Sequence, residues 1–306
     1  FLLELKIAVI TYQNKFYRGF NDFYPLFKWD NELKAAGLSF NFYPTFDKLN
    51  VDSDVIIIDY RYLVALGISA DSNRNFIIHN IQKLRSKTNK LILFDTGDGT
   101  GSDCFWIIEH IDLCLKKQIL KDKDLYCGNS YTASFMKWVP DNIIEDVFKD
   151  DHSYVGCPEN QLRKIQKGWN IAYVDYRNLP LGRFYPSAII PESIISGPAF
   201  LRPSPTRNIS ISFRGTNHTV AHYHYQRSRI IQVLSKLKVK DNAIIDGGKV
   251  TRKKYLAELA NSTSIVSPFG WGEICYRDFE AFIYGCLLIK PEMNHIDTFP
   301  NLFFDN

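Results

Sequence analysis

Short apolar runs alternate with amphipathic segments along the first hundred or so residues of the chain. The runs have the length of strands and are bounded by polar residues, whereas the segments between them carry apolar residues at helical spacing. Strands that alternate with helices predict a parallel α/β sheet. The predicted strands are residues 5–11, 38–43, 55–59 and 90–94, and the predicted helices are residues 30–36 and 72–85.

The same alternation starts again after a proline-rich stretch. Six prolines lie between residues 180 and 205, which indicates a crossing between domains. We therefore predict one domain in residues 1–180 and a second in residues 181–306. The strands predicted for the second are residues 208–213, 243–246, 264–267 and a fully buried 286–289, and its predicted helices are residues 223–237, 251–261 and 274–284.

A glycine-containing loop and a charged helix lie between the last two predicted strands. Gly270 and Gly272 let the backbone approach a ligand and can present N–H groups to a phosphate. On the predicted helix, Arg277 and Glu280 stand three residues apart on one face. A guanidinium binds a diphosphate in a fork, and a carboxylate accepts the two hydroxyls of a ribose. These residues alone leave open the alternative of an ordinary surface ion pair.

The segment from residue 262 to 291 resembles the C-terminal nucleotide-sugar motif of GT-B glycosyltransferases, most closely the exostosin-like ones. The matching pattern is Gly-x-Gly-x-x-x-x-Arg-x-x-Glu-Ala-x-x-x-Gly-Cys-x-x-Ile. The resemblance implies two Rossmann-like domains that face each other across a cleft, with the acceptor on the first and the donor on the second. It also implies that Arg277 contacts the donor diphosphate and that Glu280 contacts its ribose.

The motif departs from the wider retaining GT-B pattern, in which seven residues separate two glutamates. Six residues separate Glu273 from Glu280, so Glu273 does not inherit the role of the first glutamate. In the GT-B layout the loop after the first strand of the second domain also faces the donor, which adds Arg214. The predicted donor-contacting residues are Arg214, Gly270, Gly272, Glu273, Tyr276, Arg277 and Glu280.

Acidic and glycine-rich sequence follows the strand predicted at residues 90–94. Asp95 and Asp98 would lie at the carboxyl edge of the first sheet, where such sheets bind ligands. Either carboxylate could serve as the base that activates an acceptor hydroxyl. The alternative is a loop whose aspartates form turns and cap a helix. The Asp-x-x-Asp spacing permits a metal, but no accompanying ligand cluster supports one, and we predict no metal site.

Two further groups of residues invite functional interpretations. Residues 110–127 suggest a short strand and a basic segment, for which a solvated charged face is favoured over phosphate binding. His218, His222 and His224 include a pair four residues apart, but convincing further ligands are lacking nearby. An exposed or capping role is therefore favoured for these histidines, contact with the substrate is the next alternative, and zinc binding is the least favoured.

Composition limits the class of partner. The chain has 306 residues, 45% hydrophobic and 23% charged, which is room for two ordinary domains. A formal charge of +4 is too small and dispersed to indicate nucleic acid. We expect no membrane-spanning segment. Six cysteines without C-x-x-C spacing indicate free thiols and a cytoplasmic protein, with a Cys127–Cys157 disulfide as the alternative. The sequence is compatible with a fragment of a longer protein, truncated at its C-terminus.

The sequence thus predicts a glycosyltransferase that moves a sugar from a nucleotide-sugar donor, a UDP- or GDP-sugar, to a glycan or other glycoconjugate acceptor. Because Arg277 would neutralise the leaving diphosphate, we expect a metal-independent reaction without a further cofactor. The resemblance to exostosin-like enzymes, which are inverting, implies a single inverting displacement, and retention stays open as the alternative. Two alternatives stay open at this point: a non-catalytic module that binds nucleotide sugars or glycans, and a sugar-nucleotide epimerase.

Overall fold

A computed structural model describes residues 4–12, 18–49, 52–68, 70–128, 155–177, 190–191, 193–215, 221–236, 242–245 and 248–303. The strands are β1 (Leu5–Ile10), β2 (Leu38–Tyr43), β3 (Val55–Asp59), β4 (Lys90–Asp95), β5 (Leu113–Lys116), β6 (Gln118–Leu120), β7 (Ile165–Lys167), β8 (Ile209–Phe213), β9 (Ala243–Ile245), β10 (Ser262–Val266), β11 (Leu287–Ile289) and β12 (Ile296–Thr298). The α-helices are α1 (Tyr24–Lys28), α2 (Asp30–Ala35), α3 (Tyr60–Ala65), α4 (Asp71–Leu84), α5 (Ala221–Lys236), α6 (Arg252–Ala260) and α7 (Tyr276–Ile283).

The chain divides into two units. The described residues of the first lie within Phe1–Thr132, Ser153–Gly197 and His295–Asn306, and those of the second within Pro198–Asn294. The first unit is therefore discontinuous, and the division lies after residue 197 where the sequence suggested residue 180. The acceptor and donor roles of the two domains, and a cleft between them, stay predictions.

The first unit contains a parallel sheet whose described strands follow the order β2-β1-β3-β4-β5-β7. Successive residues of β1 alternate between two apolar layers, since Ile7 and Val9 pack in one and Ala8 and Ile10 in the other. Burial on both faces explains why its strands read as apolar runs. The direction of winding reverses between β1 and β3, and such sheets bind ligands beside the carboxyl ends of these strands.

A small antiparallel pair completes the first unit. β12, close to the end of the chain, pairs with β6 in the register Ile296 with Leu120 and Thr298 with Gln118. The hydroxyl of Thr298 donates to the carbonyl of Lys117 at 2.9 Å and accepts from the amide of Asn170, also at 2.9 Å. This pairing attaches residues beyond the second unit to the carboxyl edge of the first sheet. The sequence did not predict it.

The second unit has a smaller parallel sheet with the described order β11-β10-β8-β9. Its winding reverses between β10 and β8, so both sheets follow the same doubly wound scheme. Ile265 packs on one face with Leu259 of α6 and Ala281 of α7. Val266 packs on the other with Leu234 of α5. The predicted α/β class with parallel sheets is confirmed.

The end of α7 follows the sequence in one respect and departs from it in another. Gly285 has a φ of 62°, as a glycine at the C′ position does, and an added Cβ would clash with the carbonyl oxygen of Leu201. The prediction of a fully buried strand after it is wrong. β11 forms an edge of the sheet, and its Leu287 and Ile289 side chains are 61% and 41% exposed.

Two further features of the structure concern its cysteines and the length and polarity of its helices. All six cysteines are free thiols, and Cys104, Cys114, Cys157 and Cys286 are buried. Within the described ranges, every helix is too short or too polar to cross a lipid bilayer.

Candidate functional site

The loop from β10 to α7 makes a tight turn before the helix begins. The amide of Gly270 donates to the carbonyl of Gly272 at 2.9 Å, which leaves the Trp271 side chain largely exposed between them. Glu273 is fully buried, and Tyr276 is the half-buried first residue of α7. Because it follows β10 directly, the loop lies at the carboxyl edge of the second sheet.

Asp278 fastens the start of α7 to β10. Its carboxylate accepts from the Cys275 amide at 2.9 Å and from the Ser267 hydroxyl at 2.5 Å. The ammonium group of Lys290 lies 2.9 Å from the same carboxylate. An acidic N3 residue that accepts from the N-cap amide is half of a capping box. Sequence reasoning missed Asp278, although its position three residues into a helix was a usable signal.

Arg277 joins the helix to the end of β8. One guanidinium nitrogen, Nη2, donates to the main-chain carbonyl of Arg214 at 2.7 Å. The side chain of Arg214 is bound by the Glu258 carboxylate in two bonds, Nη2 to Oε1 at 2.6 Å and a second from Nε to Oε2. The structure therefore brings Arg214 and Arg277 together through a main-chain carbonyl, and their contact with a donor phosphate stays a prediction.

Glu280 is held from α6. The residue is buried, with 6% of its surface exposed, and its Oε2 accepts from the hydroxyl of Tyr255 at 2.9 Å. Arg252 lies 3.5 Å from the other carboxylate oxygen. Burial, and then the charge of Glu280, raise the pKa of Tyr255, and Arg277 opposes the shift. Tyr255 thus lies near both motif residues, and the buried Glu280 is not half of an ordinary solvent-exposed ion pair.

The carboxyl edge of the first sheet holds a second group of charged residues. Asp95 is buried and pairs with Lys116 at 2.5 Å, while its other oxygen accepts from the Gly97 amide at 3.0 Å. Lys116 also donates to the carbonyl of Gly101 at 2.8 Å. Asp95 therefore fixes the glycine-rich loop on both sides of Asp98.

Asp98 lies between two cations and is partly accessible. Arg61 and Lys117 donate to its Oδ1 at 2.7 and 3.2 Å, and its side chain is 44% exposed. The buried Asp22 faces the same two cations, at 3.4 Å from Arg61 and 3.6 Å from Lys117. Burial alone would raise the pKa of Asp98, but Lys117 and Arg61 outweigh it and lower that pKa. The carboxylate is held ionised.

The burial of Lys116 and Lys117 corrects one prediction. Both side chains are buried and form ion pairs, so the basic segment is not simply a solvated charged face. Their partners precede them by 19 residues or more, and no local pattern could reveal the pairing.

Asp59 is a buried carboxylate that sequence reasoning missed. It accepts from the hydroxyls of Thr11 at 2.8 Å and Thr96 at 2.6 Å, each at the end of a neighbouring strand. Burial raises its pKa to about 6, against the opposing effect of these hydrogen bonds. Its position directly after an apolar run is the same signal that singled out Asp95.

Asp59 should make stability depend on pH. Because the folded-state pKa is raised from 3.8 to about 6, the stabilisation of the protonated form is full below pH 3.8 and is lost as the pH rises through 6. The free energy of unfolding of the wild type relative to Asp59→Asn should fall by roughly 2 kcal/mol between pH 4 and 7. Urea unfolding of both proteins across this pH range measures the change. Asp71→Asn, at an exposed aspartate, is the control. A difference that does not vary with pH would contradict the assignment.

Three histidines are candidate metal ligands in the sequence. His218 lies outside the described residues, and His222 and His224 lie on α5. Within the part of the chain that the structure describes, no group of three or more His, Cys, Asp or Glu side chains is arranged to hold a metal ion.

Comparison with known proteins does not show a family for this chain. No protein-family model matches the chain, and no curated protein matches it. Among solved structures, a chain of the crystal structure of the GtfA/B complex is similar, with a TM-score of 0.34 and 11% identity over 81% of this chain. The match spans 44% of that chain. The α/β assignment therefore rests on the two parallel sheets themselves.

Proposed function

We propose that this protein is a glycosyltransferase that moves a sugar from a nucleotide-sugar donor to a hydroxyl group of a glycan or glycoconjugate. The observation that carries the proposal is the convergence of Arg277, Glu280 and Tyr255 at the carboxyl edge of a parallel sheet. A fork-shaped cation and a buried carboxylate on one helix face suit a nucleoside diphosphate.

In this proposal the second unit binds the donor, a UDP- or GDP-sugar. The guanidinium of Arg277 stabilises the negative charge that develops on the diphosphate leaving group, which removes the need for a metal ion. The N–H groups at the start of α7 and in the Gly270–Gly272 turn add partial positive charge. Glu280 accepts hydrogen bonds from the ribose hydroxyls.

The first unit supplies the base. Of four aspartates at the edge of its sheet, Asp22, Asp59 and Asp95 are buried, whereas Asp98 is partly exposed and is the one we assign as the base. Asp98 takes the proton of the acceptor hydroxyl. As the acceptor oxygen attacks the anomeric carbon of the donor sugar, the diphosphate leaves from the opposite face. This single displacement inverts the configuration. Asp95 supports the loop through Lys116 and Gly97.

One observation favours a second candidate, a non-catalytic module that binds nucleotide sugars. Two cations lower the pKa of Asp98, and a less basic carboxylate is a weaker proton acceptor. A module of this kind would bind the nucleotide through Arg277 and show no turnover.

The proposal predicts a nucleotide-dependent thermal shift that needs Arg277. Saturating UDP or GDP, at about 100 times the Kd, should stabilise the wild type by about 2.7 kcal/mol, which corresponds to several degrees in Tm. Arg277→Ala should weaken binding by roughly 10- to 100-fold, because it removes charge-assisted hydrogen bonds to phosphate. Differential scanning fluorimetry against UDP, GDP, CMP and their common sugars measures both.

A control separates loss of binding from loss of folding. Lys253→Ala removes an exposed cation from α6 of the same unit and should leave the shift unchanged. The Tm of each variant without nucleotide reports its folding. A wild type that no nucleotide stabilises would contradict the proposed donor site.

A further inference from the structure

One face of α6 carries three side chains that contact the predicted donor residues. Arg252, Tyr255 and Glu258 are spaced by three residues, which places them along one side of a helix. The first two contact Glu280, and the third binds Arg214. None of the three was predicted as a site residue, because their partners lie 25 residues or more away in the chain.

The contact between Tyr255 and Glu280 has the features of a positioning interaction. The 2.9 Å hydrogen bond is made by a largely buried carboxylate, where an electrostatic interaction is stronger than in water. Burial raises the pKa of Tyr255, so its hydroxyl stays protonated and donates. The terminal torsion angle of a glutamate has a broad distribution, and a hydrogen-bond donor in a fixed position restricts it to fewer angles.

The second contact of Glu280 is weaker. Arg252 is 43% exposed and lies 3.5 Å from Oε1, and a partly exposed ion pair at this distance contributes little. Tyr255 is therefore the principal contact from α6 that orients this carboxylate. A carboxylate can accept about four hydrogen bonds, so the bond from Tyr255 is compatible with bonds from a ribose.

We infer that Tyr255 is a positioning residue that acts through Glu280 to make the site select ribonucleotides over 2′-deoxyribonucleotides. The inference rests on the proposed function, because it requires a nucleotide in the second unit. Phenylalanine at position 255 keeps the aromatic ring and its apolar packing but removes the hydroxyl that donates to Glu280. The orientation of Glu280, and with it the contact to the 2′-hydroxyl, should then be lost.

Titration calorimetry with two pairs of nucleotides tests this inference: UDP with 2′-deoxy-UDP, and GDP with 2′-deoxy-GDP. For the pair that binds, the wild type should prefer the ribonucleotide by at least about tenfold, the effect of one hydrogen bond to a charged group. Tyr255→Phe should reduce this preference to about threefold or less and leave the affinity for the 2′-deoxy form within about twofold of wild type. A merely structural defect would weaken both ligands equally.

Two variants serve as references. Glu280→Gln should also lose the preference, because the amide keeps only one acceptor oxygen. Tyr225→Phe, on α5 of the same unit, makes the same chemical change away from α6 and should keep the wild-type ratio.

Each alternative outcome has one meaning. An unchanged ratio in Tyr255→Phe, or an equal loss for both ligands, overturns the positioning role and leaves the proposed function standing. A wild type that binds ribonucleotide and 2′-deoxyribonucleotide equally overturns the ribose contact of Glu280 and the inference with it. A wild type that binds neither overturns the proposed function itself.

Discussion

Replacing Asp98 by asparagine is expected to lower kcat for sugar transfer about a thousandfold. General-base catalysis by a positioned carboxylate contributes roughly 10² to 10⁴ in rate, and an amide cannot accept the proton of the acceptor hydroxyl. The affinity for nucleotide should not change, because Asp98 belongs to the first unit and the proposed donor residues to the second. Turnover with a radiolabelled nucleotide sugar and a panel of glycan acceptors measures the loss.

The control for this experiment is Asp30→Asn. Asp30 is the first residue of α2 and forms an exposed helical pair with Lys34. Its variant should retain full activity. An active wild type whose kcat is unaffected by Asp98→Asn would contradict the assigned base, whereas a wild type that binds nucleotide without any turnover would favour the binding module.

The pH dependence of kcat/KM identifies the base independently, because it reports groups in the free enzyme. Lys117 and Arg61 lower the pKa of the partly buried Asp98, so the loss of activity on acidification should lie below pH 3.8. An acid limb near pH 6 would instead indicate Asp59, whose pKa burial raises to about 6. The two aspartates are thus separable without mutation.

Much of the fold could be predicted because its determinants are local. The strands Leu38–Tyr43 and Val55–Asp59 have the predicted bounds, since each apolar run ends at a polar or turn-forming residue. The loop and helix around Arg277 were predicted from two glycines and helical spacing alone, and the helix was placed within two residues at its start.

The rest depends on pairing over long distances in the chain, which no local pattern encodes. The antiparallel pairing of β12 with β6 joins segments on either side of the second unit. The edge position of β11 depends on which strands lie beside it, so the apolar sequence alone wrongly suggested full burial. The proposed donor site shows the same division: Arg277 and Glu280 stand out by spacing, whereas the contact of Tyr255 with Glu280 exists only because α6 packs beside α7.

The buried pair of Lys116 and Asp95 gives the largest expected effect on stability. Lys116→Met should lower the free energy of unfolding by about 3–5 kcal/mol, because it leaves the Asp95 carboxylate buried without its cation. The variant also leaves the Gly101 carbonyl without its ammonium donor. Urea or guanidinium unfolding followed by fluorescence measures the change.

A double variant and a surface pair make this prediction specific. Lys116→Met with Asp95→Asn removes both charges and keeps the acceptor for the Gly97 amide, so it should recover more than half of the lost stability. Lys167→Met breaks an ion pair of similar length with Asp297, whose partners are 45% and 36% exposed, and should cost less than about 1 kcal/mol. Equal losses in the two single variants would show that burial does not decide the strength of the Lys116–Asp95 pair. The loop that carries Asp98 would then owe its position to some other contact.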